Sequence, residues 1–108
     1  MNGEEITEEY LNNLENINSQ ENLFKMTILH ILVIKESPLL SFFLKKCPNP
    51  NLQDTSGKSP IFYAKSDSIK FELIKSNASV FIKNGDGKSI YSEDPTILSR
   101  YTLNNLKI

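Results

Sequence analysis

Apolar residues along the chain form short clusters at helical spacing, separated by polar runs rich in Gly, Asn, Asp and Ser. The clearest cluster is Leu39, Leu40, Phe43 and Leu44, whose members three and four positions apart share one face of a helix. The polar runs between such clusters contain turn-forming residues. The pattern predicts an all-α chain made of short helices.

We predict that each helix starts at a capping side chain or at a proline, because these residues suit a first helical turn. Thr7 and Ser37 are placed to cap, and Asp94-Pro95 combines a cap with a proline at the first helical position. Pro95 leaves room for only one helical turn before it. The main predicted helices span residues 8–17, 27–35, 38–46, 60–65, 68–75 and 95–106.

The same pattern of residues occurs three times along the chain. Segment 51–61 returns as 81–91, with Gly-Lys-Ser in both copies, and 22–30 is a weaker earlier copy. Thr27 precedes its counterpart Ser59 by 32 residues, and the next copy follows 30 residues later. Each copy contains a turn, a short helix, a break and a second helix. Helices this short are marginal alone in water, so the copies must stack to bury their apolar faces.

Length and composition fit one globular domain. The 108 residues are 39% hydrophobic and 23% charged, with a formal net charge of -1. Residues 1–21 carry six Glu and neither Lys nor Arg, which leaves the remainder mildly basic. Arg100 is the one arginine of the sequence, so bidentate contacts to phosphates or guanine are poorly provided for. We therefore expect no nucleic-acid partner.

Cysteine usage and the start of the chain indicate a cellular setting. Cys47 is the one cysteine, which excludes an intramolecular disulfide and a thiolate metal cluster and fits a reducing compartment. The first residues are acidic and polar, unlike a signal peptide, and no apolar run approaches the ~18 residues of a membrane span. We expect an intracellular protein, cytoplasmic or nuclear, with no membrane contact.

The repeated segments resemble the ankyrin repeat, in which a turn and a Thr-Pro-Leu-His tetrapeptide precede two antiparallel helices ending in Leu-Leu and Gly-Ala. Residues 27–30, Thr-Ile-Leu-His, match the tetrapeptide in the first unit, and residues 57–61, Gly-Lys-Ser-Pro-Ile, match in the second. Leu73-Ile74 and Asn77-Ala78 fit the closing pairs, with asparagine in place of a glycine. The resemblance covers about residues 22–92.

The resemblance implies an all-α ankyrin-repeat solenoid of stacked helix-turn-helix units, in which residues 1–108 form a single domain. Residues 1–21 would be an N-terminal capping helix, 22–50 and 51–80 the first two repeats, and 81–108 a degenerate third repeat with a C-terminal cap. The spacings of 32 and 30 residues are shorter than the ~33 of the family, which predicts a trimmed link between the helices of the second unit.

The resemblance also implies protein binding, because ankyrin proteins hold a partner by their turn tips and the inner face of their first helices. We expect a monomeric adaptor or inhibitor; the alternative is a structural or regulatory segment that packs on another domain of a longer protein. The implied surface, here called the strip, comprises Leu23, Phe24, Met26, Thr55, Ser56, Lys58, Ser66, Asp67, Gly85, Asp86 and Lys88.

The first three strip residues are apolar although they belong to a turn. An exposed cluster of this size is seldom left bare. Two alternatives follow: Leu23, Phe24 and Met26 dock the amino-terminal helix, or they anchor a partner.

No catalytic, cofactor or metal site is expected, because His30 and Cys47 have no evident chemical partners. The resemblance implies that His30 stabilises its helix by bonding nearby backbone and that Cys47 replaces a glycine. Residues 85–89, Gly-Asp-Gly-Lys-Ser, lack the spacing of a phosphate-binding loop. The resemblance also places Asn51 where an oxygenase hydroxylates such repeats, and its modification stays open.

Overall fold

The computed structural model describes residues 6–106, and every regular element in this span is a helix, with no strand. The predicted all-α class is therefore confirmed for the described span. The predicted segments 1–21 and 81–108 extend outside it, by residues 1–5 and 107–108. The elements in chain order are α1 Glu8–Asn12, α2 Ile28–Ile34, α3 Leu40–Leu44, a 3-10 helix Pro60–Tyr63, α4 Asp67–Lys75, α5 Ile90–Glu93 and α6 Ile97–Asn105.

The apolar faces of these elements meet in one core that runs from α1 to α6. α2 packs on both α3 and the 3-10 helix, α4 packs on the 3-10 helix, and α5 packs on α6. Shared burial holds these helices, since none exceeds nine residues within the described span. The buried apolar residues are Leu11, Leu29, Leu32, Val33, Leu40, Phe43, Leu44, Ile61, Leu73, Ala78, Val80 and Ile97.

Hydroxyl side chains cap the starts of four helices by accepting a first-turn N–H. The caps are Thr7 for α1, Thr27 for α2, Ser66 for α4 and Ser89 for α5. Those of α2 and α5 are reciprocal, because the side chain three residues on also bonds the backbone of the cap. The predicted start of α1 at Thr7 is confirmed, and α4 begins one residue earlier than predicted.

The first helix is shorter than predicted, since α1 ends at Asn12 rather than at residue 17. Asn13 is its C-cap, and further along the Asn16 side chain accepts a hydrogen bond from the Asn18 N–H at 2.9 Å. Asparagine side chains that bond nearby backbone compete with helical hydrogen bonding. The asparagine-rich sequence after α1 therefore ends the helix early.

α3 is also shorter than predicted, because it begins at Leu40 rather than at residue 38 and ends at Leu44. The predicted cap, Ser37, acts in a turn before the helix. Its Oγ accepts from the Leu39 N–H at 3.1 Å, and its carbonyl accepts from the Leu40 N–H at 3.2 Å. Helical bonding begins only after this turn.

The helix predicted over residues 60–65 is a 3-10 helix over Pro60–Tyr63. The Phe62 N–H donates to the Ser59 carbonyl at 3.1 Å, the i to i+3 bond of this helix type. Phe62 occupies the position of His30 in α2 and has no side-chain donor or acceptor to return a bond to the cap. The Ser59 Oγ is buried without a hydrogen-bond partner in the described part of the chain.

The last helix begins at Ile97 rather than at Pro95 and ends at Asn105. Asp94 does not cap it, because its carboxylate accepts from Arg100 Nη2 at 2.7 Å and from the Thr96 hydroxyl at 3.1 Å. Thr96 takes the N-cap position, but its side chain accepts no backbone N–H of the first turn. The prediction that Pro95 limits the helix before it to one turn is confirmed by α5.

Three turns of five residues have the same hydrogen-bonding pattern, and we call 22–26, 54–58 and 84–88 tips 1, 2 and 3. The Oδ1 atom of the first residue accepts the backbone N–H two and four residues later; these first residues are Asn22, Asp54 and Asn84. The fourth residue has a positive φ, which is 55° at Lys25 and 76° at Gly57 and Gly87. The tips therefore share one backbone conformation.

Neighbouring tips are bonded to each other through their backbones. The Thr55 N–H donates to the Phe24 carbonyl at 2.9 Å, and the Gly85 N–H donates to the Ser56 carbonyl at 2.8 Å. A Cβ at Gly57 would lie 2.6 Å from the Gly85 nitrogen. This close approach requires a glycine there, in addition to the positive φ.

The segments that follow the second helices are also bonded from one unit to the next. Asn18 Oδ1 accepts from the Asn49 N–H, and Asn51 Oδ1 accepts from the Ser79 N–H, both at 2.8 Å. The Gln53 side-chain amide donates to carbonyls in tip 2 and at position 83, and Gln20 makes the equivalent pair of bonds one unit earlier. Residues before tip 1 thus repeat the closing segment of a unit.

Candidate protein-interaction surface

The apolar part of the strip is exposed at tip 1. Leu23 is 84% exposed and Phe24 is 60% exposed, whereas Met26 is half-buried. The alternative in which the amino-terminal helix covers these residues is wrong within residues 6–106, because α1 leaves Leu23 and Phe24 open to solvent. An exposed apolar pair beside polar neighbours is typical of an interaction site.

The corresponding positions of tips 2 and 3 are polar and exposed, with Thr55 and Ser56 in tip 2 and Gly85 and Asp86 in tip 3. The bonds between tips involve the backbone of these same positions, so their side chains follow one another in a row. The structure thus brings together the strip residues of the three tips. Sequence reasoning did not predict the backbone bonds that hold the row.

Lys58 and Lys88 occupy the fifth position of tips 2 and 3. The Lys58 ammonium lies over the Tyr63 ring, 5.5 Å from its centroid. A cation–π contact of this kind orients the side chain without neutralising the charge of the ammonium. Among the described residues, neither ammonium has a carboxylate oxygen within 4.0 Å.

Asp54 supports tip 2 through the hydrogen bonds of its buried side chain. Sequence reasoning did not predict this structural role. Its side chain is buried and accepts from the backbone N–H of Ser56 and Lys58 at 2.9 and 3.0 Å and from the Tyr63 hydroxyl. Burial, together with the hydrogen bond to Asp54, raises the pKa of Tyr63 to about 12. The sequence does contain a sign of the role of Asp54, because an Asn or Asp opens each repeated turn.

Ser66 and Asp67 lie at the start of α4, outside the tips. The Ser66 Oγ accepts from the Ile69 N–H at 3.3 Å as the helix cap. The Asp67 carboxylate accepts from Arg100 Nε at 3.0 Å and Nη2 at 3.1 Å. These hydrogen bonds lower the pKa of Asp67. Both residues are exposed but already have bonds within the chain.

His30 is fully buried and joins two units. The Thr27 N–H donates to His30 Nδ1 at 3.0 Å, so this nitrogen is unprotonated, and Nε2–H donates to the Lys58 carbonyl at 2.8 Å. Burial lowers the pKa of the imidazole below its ordinary value, although the bond to Lys58 opposes the shift. The predicted structural role of His30 is confirmed.

Cys47 and residues 85–89 are the remaining candidates from the sequence. Cys47 is exposed with a φ of 56°, the left-handed conformation expected where the repeat has glycine. Asn84 Oδ1 accepts the N–H groups of positions 86 and 88, so these amides do not form a phosphate cradle. Within residues 6–106, no group of three or more His, Cys, Asp or Glu is placed to hold a metal.

Comparison with known proteins agrees with the repeated geometry. No family model matches the chain. A curated relative, L92 of Acanthamoeba polyphaga mimivirus, is named as an ankyrin repeat protein and is 34% identical over 101 aligned residues. The chain is therefore similar in sequence to an ankyrin-repeat protein. The structure contains repeated turns, reciprocal caps on two helices and a His30 bond between units, in line with the repeats of the sequence.

The match covers 82% of this chain but only 24% of the relative. The chain thus spans about a quarter of the length of the curated protein it matches. Similarity to an ankyrin-repeat protein indicates a protein-interaction module in general. In the described part of the chain, every helix is too short or too polar to cross a bilayer.

Proposed function

We propose that this ankyrin-repeat chain is an adaptor or inhibitor that binds another protein and has no catalysis of its own. Repeats 22–50, 51–80 and 81–108 stack as a solenoid, with residues 1–21 and α6 covering its two ends. The partner lies along the strip, from tip 1 to tip 3. The chain acts as a monomer that presents this surface.

One observation carries the proposal: Leu23 and Phe24 are exposed on a turn whose backbone is fixed. The Asn22 side chain bonds that turn internally, and the Thr55 N–H bonds it to tip 2. Large apolar side chains on a preformed surface bind with little ordering cost. They also resemble the apolar centre of known interfaces, which polar residues surround.

The polar strip residues supply such surroundings. Thr55, Ser56 and Lys58 follow directly after the apolar pair in the bonded row of tips. The partner can be a separate protein or another domain of a longer chain, and the longer curated relative makes the second arrangement a real alternative.

The test compares two pairs of exposed apolar residues. Leu23→Asp with Phe24→Asp places charge on tip 1, and Leu103→Asp with Leu106→Asp places the same charge on the exposed side of α6 and just after it. Each variant and the native chain are used to capture the partner from the native cell, after circular dichroism has confirmed folding. We expect the tip variant to lose the partner and the α6 variant to keep it. Full capture by a folded tip variant would reject the strip.

A further inference from the structure

Because the three tips share their hydrogen bonds, their side chains can be compared position by position. The second and third positions carry Leu23 and Phe24 in tip 1 but Thr, Ser, Gly and Asp in tips 2 and 3. The fifth position carries Met26 in tip 1 and lysine in the other two tips. The strip therefore changes from apolar at one end to polar and basic at the other.

The three tips carry more basic than acidic side chains. Asp54 has its carboxylate buried under tip 2 and bonded there, which removes it from the binding surface. The exposed Asp86 is then opposed by Lys25, Lys58 and Lys88. In the described span none of these lysines has a carboxylate within 4.0 Å, so their charge is available to a partner.

A protein fits this surface better than a nucleic acid does. Arg100 is the one arginine, and its guanidinium is held by Asp67 and Asp94. The exposed apolar pair at tip 1 would have no counterpart on a phosphate backbone. A peptide can supply an apolar side chain and carboxylates together.

The row of tips sets the length of the bound segment. Packed helices lie ~8–10 Å apart, so three tips built on adjacent helices span about 20 Å. An extended chain rises ~3.3 Å per residue and crosses this distance in about six residues. A short extended segment is therefore long enough to contact all three tips.

We infer that the strip binds an extended acidic peptide segment, which places one large apolar side chain on Leu23 and Phe24 and carboxylates beside Lys58 and Lys88. This inference rests on the proposed function and adds the chemistry of the partner. Attraction to the lysines fixes the direction in which the segment lies, because the apolar anchor fits only tip 1.

Selection from a displayed library of random twelve-residue peptides tests the inference, with the full chain as bait. We expect enriched peptides to combine one Phe, Leu, Ile, Met or Trp with several Asp or Glu. Lys58→Glu with Lys88→Glu should weaken these peptides about tenfold or more and should enrich Lys and Arg when used as bait. Lys45→Glu with Lys75→Glu makes the same change of charge at exposed residues outside the strip and should leave binding unchanged.

The possible failures have different meanings. Peptides that need Leu23 and Phe24 but lack acidic residues would overturn the acidic segment and leave the proposed function standing. Equal loss in both lysine variants, recovery of no peptide, or tight binding of a single-stranded oligonucleotide to the strip would also overturn the inference. The proposed function is tested separately. Full capture of the partner by the folded Leu23→Asp, Phe24→Asp variant would count against it.

Discussion

At the scale of single residues, the side chain three positions after each cap decides how the first helix of a unit forms. His30 returns a bond to Thr27 and α2 is seven residues long, whereas Phe62 cannot return a bond to Ser59 and a four-residue 3-10 helix results. Ser92 restores the reciprocal cap at α5. The quality of the cap thus follows from one residue in each unit.

We predict different costs for removing the buried hydroxyls of Thr27 and Ser59. Thr27→Ala should lower the free energy of unfolding by about 1–2 kcal/mol, because the first-turn N–H loses its acceptor. Ser59→Ala should change the free energy of unfolding by well under ~1 kcal/mol, since the Ser59 hydroxyl has no partner to lose in the described span. Urea denaturation measures both, with Thr27→Ser as the control that keeps the hydroxyl. Equal costs at the two positions would contradict this account.

The burial of His30 predicts that stability falls in mild acid. Burial holds its folded pKa below the unfolded value of 6.5, so the unfolded chain takes up the proton first. The contribution is complete above pH 6.5 and is lost as the pH falls below it, because a protonated Nδ1 would face the Thr27 N–H. Unfolding measured between pH 7 and 5, with the imidazole signal followed by NMR, checks this; a pKa at or above 6.5 in the folded chain would refute it.

At the scale of elements, the tips connect the units as much as the helices do. Gly57 is favoured by its positive φ and required by the nearness of tip 3, whereas Gly87 is favoured by its φ alone. Tip 1 has Lys25 in the same conformation, at a cost that a glycine would not have. Contact between tips 2 and 3 is therefore the tighter of the two.

This difference predicts unequal effects of two alanine substitutions. Gly87→Ala should cost about 1–2 kcal/mol of unfolding free energy, because alanine disfavours the left-handed conformation. Gly57→Ala should cost at least about 1 kcal/mol more, since its Cβ would force tip 3 away. Chemical denaturation of both variants tests the contact, and indistinguishable stabilities would argue that the tips do not touch.

Arg100 attaches the last helix to the repeat before it. It bonds Asp67 of α4 and Asp94, and these bonds lower the pKa of both carboxyls and raise the pKa of the guanidinium. Arg100→Ala should speed amide exchange throughout α6, and high salt should have the same effect on the native chain. Amide exchange in α6 should be faster in Arg100→Lys than in the native chain but slower than in Arg100→Ala. Lysine keeps the charge but cannot form the bidentate bonds of a guanidinium. Unchanged exchange in α6 after Arg100→Ala would refute the attachment.

At the scale of the whole molecule, the sequence was sufficient to predict the helical class and the repeated unit. The Gly-Lys-Ser copies and the caps at Thr7 and Thr27 mark local structure, which depends on neighbouring residues. Helix ends were predicted less well, because Asn16 bonds backbone in competition with α1 and Arg100 recruits Asp94 from its expected cap.

The candidate surface was predicted only as a set of positions. Which of these positions have a side chain free to bind a partner depends on contacts between distant residues. One example is the bond from Arg100 to Asp67 across 33 positions. The exposure of Leu23 depends on where α1 packs, which periodicity does not specify. Repeats align equivalent residues, and only the structure shows which of these are already bonded.

The central claim is that the units are joined through their tips into one rigid surface, and hydrogen exchange at two amides tests it most directly. The amides of Thr55 and Gly85 lie in exposed turns but donate to the carbonyls of Phe24 and Ser56. We predict that both exchange slowly, with protection near that of the buried helix α2. Exchange of these two amides at the rate of an unfolded peptide would contradict the account.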